Sequence, residues 1–271
     1  MYDNQNKTYY HHYSITAADM NKQFRITPNA ILLYYQDAWA RLMSNQHMAA
    51  FDVVKQQKIW VVTEFEANMS QVNTFWSDQI TVEIWNSQLT PARVYADFRI
   101  YKRDTAQEHE CGTLIANGYA AWSLLNINSK RLERLDSMPI PVAQRQDSAP
   151  HKKEHFNSEG ITLKTIRHKV NLLDLDFNMH VNNRSYLSIA LLTATDEFLN
   201  TMTPVRMVIH WLHETYLDDT LTCSLIRPDG AEENTFVHVL TSENQQKTAE
   251  IYSVWEPLAN PQDVCLAVSR E

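Results

Sequence analysis

Glycine is nearly missing. The 271-residue chain holds four, Gly112, Gly118, Gly160 and Gly230. A dinucleotide-binding G-x-G-x-x-G, a P-loop and a G-x-S-x-G nucleophile elbow each need closely spaced glycines, so enzymes built on them are disfavoured. Cysteine is scarce too. Cys111, Cys223 and Cys265 are odd in number and lack metal-ligand or redox spacing, which predicts reduced, structural thiols. No run reaches the roughly 18 apolar residues of a membrane-spanning helix. The opening "MYDNQNKTYYHHY" has no signal-peptide core, so the expectation is a cytoplasmic protein without a membrane span. Positive charge is in deficit: 24 Lys and Arg against 32 Asp and Glu give a net charge of −8. That balance argues against nucleic acid or a membrane surface as a partner, and an acidic partner would need a local basic patch.

What is present is an ordinary globular composition, 44% apolar and 21% charged, long enough for two domains. Thr27 can cap a helix whose first position is Pro28, with Ile31, Leu32, Tyr35, Ala38, Trp39 and Leu42 at helical spacing. Strand-like runs follow at 58–69, 79–85, 92–101 and 113–125, rich in β-branched and aromatic residues with partial alternation. Residues 136–160 carry several prolines and no periodicity, which predicts a linker or long crossing loop. Beyond it come a strand at 161–170 and a helix with Leu187, Ala190, Leu191, Ala194 and Phe198 on one face. Four more strands are predicted at 205–212, 220–226, 235–242 and 247–255. Helix followed by four strands therefore occurs twice. "FWSDQITVEI" (75–84) also lies in register over "YLDDTLTCSL" (216–225), pairing Asp78 with Asp219 and Thr81 with Thr222. An internal duplication is the better reading.

The copies differ at "DLDFNMHVNNRSYL" (174–187), which has no counterpart before the first helix. In an extended segment, spacing of two would point Asp176, Asn178 and His180 to one side. A helix starting near Asn182 or Asn183 would turn its free N–H groups and positive end toward the same space, suited to an oxyanion. Glu214, opposite Asn73 in the repeat register and on a neighbouring strand, could act as base or nucleophile. The competing reading makes Asn182 and Asn183 caps, Asp174 a turn or solvent residue, and Trp122 and Trp211 core residues. His210 and His213 fall on opposite faces of a strand, which disfavours a metal site with Glu214.

The pattern D-x-N-x-H-V-N-N-x-x-Y, supplied by Asp176, Asn178, His180, Val181, Asn182, Asn183 and Tyr186, resembles the signature of the acyl-acyl-carrier-protein thioesterases. "HWLHETYLDDTL" is similar to the strand carrying that family's active-site glutamate, which lands on Glu214. "YYQDAWARLM", "IWVVTEFEANM" and "AWSLLNINSKRLERL" are similar to its N-terminal blocks, and the likeness runs over roughly 10–260. One position departs: many plant members carry Cys after the glutamate, and here Thr215 stands, so no catalytic cysteine is available. The resemblance implies an α+β double hotdog, two fused copies of a long helix wrapped by an antiparallel sheet. It implies an N-terminal hotdog (1–140) shaping an acyl tunnel, a linker (141–160), and a catalytic C-terminal hotdog (161–271).

The implied reaction is hydrolysis of fatty acyl-acyl-carrier protein to free fatty acid, with no metal, nucleotide or flavin. Glu214 would be base or nucleophile and Asn178 would hold water or carbonyl. His180 would assist the reacting group or leaving thiol, and Asp176 would orient its neighbours. The N–H groups of Val181, Asn182 and Asn183 would bind the oxyanion. Lys130, Arg131, Arg134 and Arg184 are the candidates for docking an acidic carrier protein. Trp60, Met69, Trp76 and Trp85 are candidates to block the tunnel. Alternatives are a coenzyme A thioesterase, a hotdog dehydratase using His180 and Glu214, or a non-catalytic acyl-binding module; a monomer and a homodimer both fit.

Overall fold

A computed structural model describes residues 1–103, 112–145 and 150–259; Cys111 and Cys265 lie outside the described residues. The N-terminal copy comprises β1 (Tyr2–Asp3), β2 (Thr8–Ser14), α1 (Pro28–Asn45), α2 (Ala50–Val53), β3 (Lys58–Met69), β4 (Gln79–Leu89), β5 (Arg93–Lys102) and β6 (Thr113–Asn126). The C-terminal copy comprises β7 (Gly160–Lys169), α3 (Asn183–Leu191), α4 (Asp196–Thr201), β8 (Met202–Trp211), β9 (Thr220–Pro228), β10 (Thr235–Thr241) and β11 (Lys247–Pro257). The strand β2 stands outside the helix-first repeat read from the sequence; the aromatic run "TYYHHYS" is its signal, and it pairs with β4.

The strands form one antiparallel sheet in the order β1-β2-β4-β5-β6-β3-β8-β11-β10-β9-β7. Past β1, the second five strands repeat the first five in reverse, and the copies meet where Glu64–Asn68 of β3 pairs with Arg206–His210 of β8. This is the double hotdog that the family resemblance implies, and it agrees with the duplication. The match of Asp78 with Asp219 is geometric as well. Each carboxylate accepts the amide three residues before it, from Phe75 and Tyr216, at 2.8 Å, and the residue just before each, Ser77 and Asp218, has φ near +70° (70° and 69°).

The Thr27 hydroxyl accepts the Ala30 amide at 3.2 Å, so α1 starts at its cap and Pro28. Its buried stripe, including Ile31, Tyr35, Trp39 and Leu42, packs into a core that continues across the seam into the C-terminal copy. Trp39 stacks on Trp122 at 3.9 Å, and Tyr35, Phe65 and Phe98 close around them.

The second helix is shorter than its pattern. α3 stops at Leu191, and Ala194 and Phe198 do not share its face; Phe198 belongs to α4 and packs on Phe236 and Trp255. The amides of Leu192, Thr193 and Ala194 take carbonyls three residues back. The Thr193 hydroxyl also donates to Ala190 O at 2.7 Å, and such side-chain bonding tightens and ends a helix.

The structure corrects two of the four tunnel candidates, one by strand alternation and one by its place in a turn. Trp60 joins the core and Met69 packs at its edge, but Trp76 is 72% exposed. Trp85 lies on the outer face of the sheet beneath the guanidinium groups of Arg99 and Arg145, at 5.0 and 4.5 Å. Residue Arg145 and the stretch 150–159 lie on that outer face, and the stretch passes from one copy to the other. The Arg145 amide bonds Asn86 O at 2.9 Å, His151 meets Asp97 at 2.6 Å, and Phe156 stacks on His210 and Tyr252.

Candidate active site

The segment before α3 is not extended. Leu172–Asp174 forms a 3-10 turn, and Leu175 and Val181 pair as an isolated bridge. Between them the chain reverses: the Asp176 amide donates to His180 O at 2.8 Å and Met179 has φ 63°. The cause is Asp176 itself. Its Oδ1 accepts the amides of Asn178 at 2.8 Å and His180 at 3.3 Å, an Asx-type turn that competes with strand pairing. The spacing-of-two argument for a shared face therefore does not apply, and Asn178 is exposed while His180 is half-buried. Asp174 organises the preceding turn, accepting from Asn171 and lying 2.8 Å from His168 Nε2.

The amides meant for an oxyanion need a second correction. Val181 N–H donates to Thr215 O at 2.9 Å and Asn182 N–H to Asp174 O at 2.8 Å. Both donors are used to hold the turn against its neighbours. The Asn182 side chain caps α3 through the Arg184 amide at 2.9 Å. Of the three expected donors, the Asn183 amide at the first helical position is the one left as a candidate.

Glu214 lies in the connection between β8 and β9 rather than on a strand. Its Oε1 is 3.6 Å from His180 Nδ1, and its Oε2 accepts the Tyr216 hydroxyl at 2.6 Å. The Tyr216 ring meets the His180 ring edge-on at 5.0 Å. Burial of Thr215, whose Oγ1 accepts the Tyr186 hydroxyl at 2.9 Å, pins the chain between Glu214 and Tyr216. Glutamate, histidine and tyrosine thus meet at the surface, with Asp176 shaping the turn that carries the histidine. Tyr216 is a site residue that the sequence motifs do not mark; its one signal is its place over Phe75 in the register of 75–84 with 216–225.

The other candidates scatter. His210 is 2% exposed on the outer face of β8, 3.9 Å from Glu64 Oε2, and His213 is exposed in the connection, so neither joins Glu214. Among the docking candidates, Lys130 and Arg131 are exposed. Arg134 is already paired with Asp136, at 2.6 Å. Arg184 is half-buried in the first turn of α3.

The N-terminal copy contains the same turn with different chemistry. Asn21 Oδ1 accepts the amides of Gln23 and Arg25 at 3.0 and 3.1 Å, the Asn21 amide donates to Arg25 O at 2.9 Å, and Phe24 has φ 55°. Asn21, Gln23 and Arg25 therefore stand where Asp176, Asn178 and His180 stand, and Asn73 where Glu214 stands. This copy is closed: the Arg25 guanidinium is buried and bonds Gln71 Oε1 at 2.8 Å, and the Gln23 side chain bonds Leu199 O at 2.9 Å.

Comparison with known proteins bears out the family resemblance. Residues 160–257 match the family model described as the acyl-ACP thioesterase C-terminal domain. The chloroplastic acyl-[acyl-carrier-protein] hydrolase FATB3 of Cuphea viscosissima is 25% identical over 221 residues, 76% of this chain and 50% of that protein. A chloroplastic palmitoyl-acyl carrier protein thioesterase of Cuphea hookeriana is 23% identical over 219 residues, again 76% and 50%. The chain thus spans about half the length of the curated relatives it matches. Two solved structures share its fold. An acyl-ACP thioesterase from Bacteroides thetaiotaomicron has a TM-score of 0.79 at 15% identity, covering 94% of this chain and 100% of that one. The 12:0-ACP thioesterase from Umbellularia californica has a TM-score of 0.72 at 17% identity, covering 93% and 94%.

Proposed function

We propose that the protein hydrolyses the thioester joining a fatty acyl group to acyl-carrier protein, releasing the free fatty acid. The observation that carries this reading is the contact of Glu214 with His180 at 3.6 Å, inside the region that matches the thioesterase domain. In the N-terminal copy the same positions hold asparagine and a buried arginine. A thioester carbonyl is electrophilic enough that one carboxylate base and one proton-carrying imidazole suffice. Glu214 Oε1 takes a proton from water and the resulting hydroxide adds to the carbonyl carbon. The tetrahedral intermediate expels the carrier's thiolate, which takes its proton from His180. Water and thioester become acid and thiol, and the Glu214 proton returns through His180 to close the cycle. The Asn183 amide at the start of α3 faces the developing oxyanion, Asn178 holds the water or carbonyl, and Asp176 keeps the turn in shape.

In this reading the C-terminal hotdog supplies the chemistry, and the N-terminal hotdog takes the acyl chain against α1. Exposed Lys130 and Arg131, with Arg184 beside the turn, attract the acidic carrier protein against the overall negative charge; Arg134, neutralised by Asp136, contributes least. The reaction calls for no cofactor. The test is hydrolysis of palmitoyl-acyl-carrier protein, with palmitoyl-coenzyme A as the alternative carrier. Wild type should release palmitate faster from the carrier protein, Glu214→Ala should lose the activity, and His180→Ala should fall at least a hundredfold. Wild-type rates in both variants would remove the site, and preference for coenzyme A would change the substrate.

A further inference from the structure

The two copies offer an internal control for the residue after Thr215. In both, an aromatic ring packs against the turn: Phe75 lies 5.6 Å from Phe24, and Tyr216 lies 5.0 Å from His180. The phenol hydroxyl exists only in the copy that has a carboxylate to receive it. Tyr216 is held on its backbone from two sides. Its amide donates to Asp219 Oδ2 at 2.8 Å, and it forms an isolated antiparallel bridge with His180. Its hydroxyl then donates to Glu214 Oε2 at 2.6 Å, the short distance of a charge-assisted bond.

We infer that Tyr216 is a positioning residue for the hydrolysis, fixing Glu214 by one carboxylate oxygen so that the other is presented to His180 and water. A glutamate on an exposed connection has freely rotating torsions, and 39% of the Glu214 side chain is open to solvent. Without an anchor, Oε1 would face the reacting water only part of the time. With Oε2 committed to the phenol, rotation about the terminal torsion is stopped and the two oxygens become different: one is a fixed acceptor, the other the base. The same ring limits His180, whose Nδ1 side meets Oε1. The hydrogen bond to Glu214, assisted by burial, pushes the Tyr216 phenol up to about 12, so it remains a donor throughout the neutral range.

The inference rests on Glu214 being the general base that activates water, and the experiment separates the two. Tyr216→Phe keeps the ring and its edge contact with His180 and removes the hydroxyl alone. In steady-state hydrolysis of palmitoyl-acyl-carrier protein, Tyr216→Phe should lower kcat at least tenfold, leave KM within twofold and leave the thermal midpoint within 2 °C, as expected of geometry lost at the reacting group only. Wild-type kcat in Tyr216→Phe alongside an inactive Glu214→Ala would overturn the positioning role and leave the proposed function standing. A raised KM with unchanged kcat would overturn it too, by placing Tyr216 in substrate binding. Full activity in Glu214→Ala would remove both.

Discussion

Asp176 and Asn21 do one job in the two copies: each side-chain Oδ1 gathers the amides two and four residues ahead. Only an oxygen acceptor is needed for that, and asparagine supplies one without charge. Asp176→Asn should therefore keep both the turn and most of the hydrolytic rate. Asp176→Ala leaves two turn amides without their acceptor, costing about 1–2 kcal/mol of stability, and it frees His180 from its place beside Glu214. Thermal denaturation and turnover of the two variants check this: alanine should lose at least tenfold in rate and asparagine should stay within about threefold. Equal loss in both would mean that the Asp176 charge itself, not its acceptor geometry, serves the reaction.

Elements were more legible than the site because periodicity reports burial, which is what strands and helices have in common along their whole length. The Thr27-Pro28 start and the stripe from Ile31 to Leu42 identify α1, and the two runs of four strands identify the sheet. The length of α3 was not legible, since Ala194 and Phe198 continue the spacing past the point where the Thr193 hydroxyl closes the helix. Nor was the turn at Asp176, because an Asx turn leaves no periodic trace. The same logic limited the tunnel residues: alternation along β4 turns Trp85 away from the interior, and Trp76 lies beyond the strand. Inside, Trp39 on α1 stacks on Trp122 on β6. If the acyl chain lies along α1, this pair sets how far it reaches. Trp39→Leu should cost about 2–4 kcal/mol through the space it leaves and shift the released acids toward longer chains. Product analysis with carrier proteins bearing acyl groups of several lengths checks this, and an unchanged distribution would place the chain elsewhere.

At the scale of the molecule the copies share one sheet and one core, so a charge buried in either should be felt by both. His238 on β10 is such a site: it is 3% exposed, with Nδ1 3.1 Å from the Thr193 hydroxyl. Burial lowers its pKa from 6.5 to about 4, opposed by an Ala190 backbone bond. The unfolded chain therefore takes up the proton first. Stability from this residue is complete above about pH 6.5 and is lost as the pH falls toward about 4, by roughly 3 kcal/mol at most. His210, also lowered by burial to about 4, acts in the same direction from the seam. His238→Leu leaves the Thr193 hydroxyl its bond to Ala190 O and should remove about half of the fall in thermal midpoint between pH 7 and pH 5. Tryptophan fluorescence reads the N-terminal copy heavily, through Trp39, Trp60 and Trp122, whereas far-ultraviolet circular dichroism reads the whole sheet. If the seam and shared core bind the copies into one cooperative unit, the two signals should move together with pH and respond equally to His238→Leu. Separate midpoints would mean that β3 and β8 join two units that unfold independently, and an undiminished slope in His238→Leu would move the acid sensitivity to other groups.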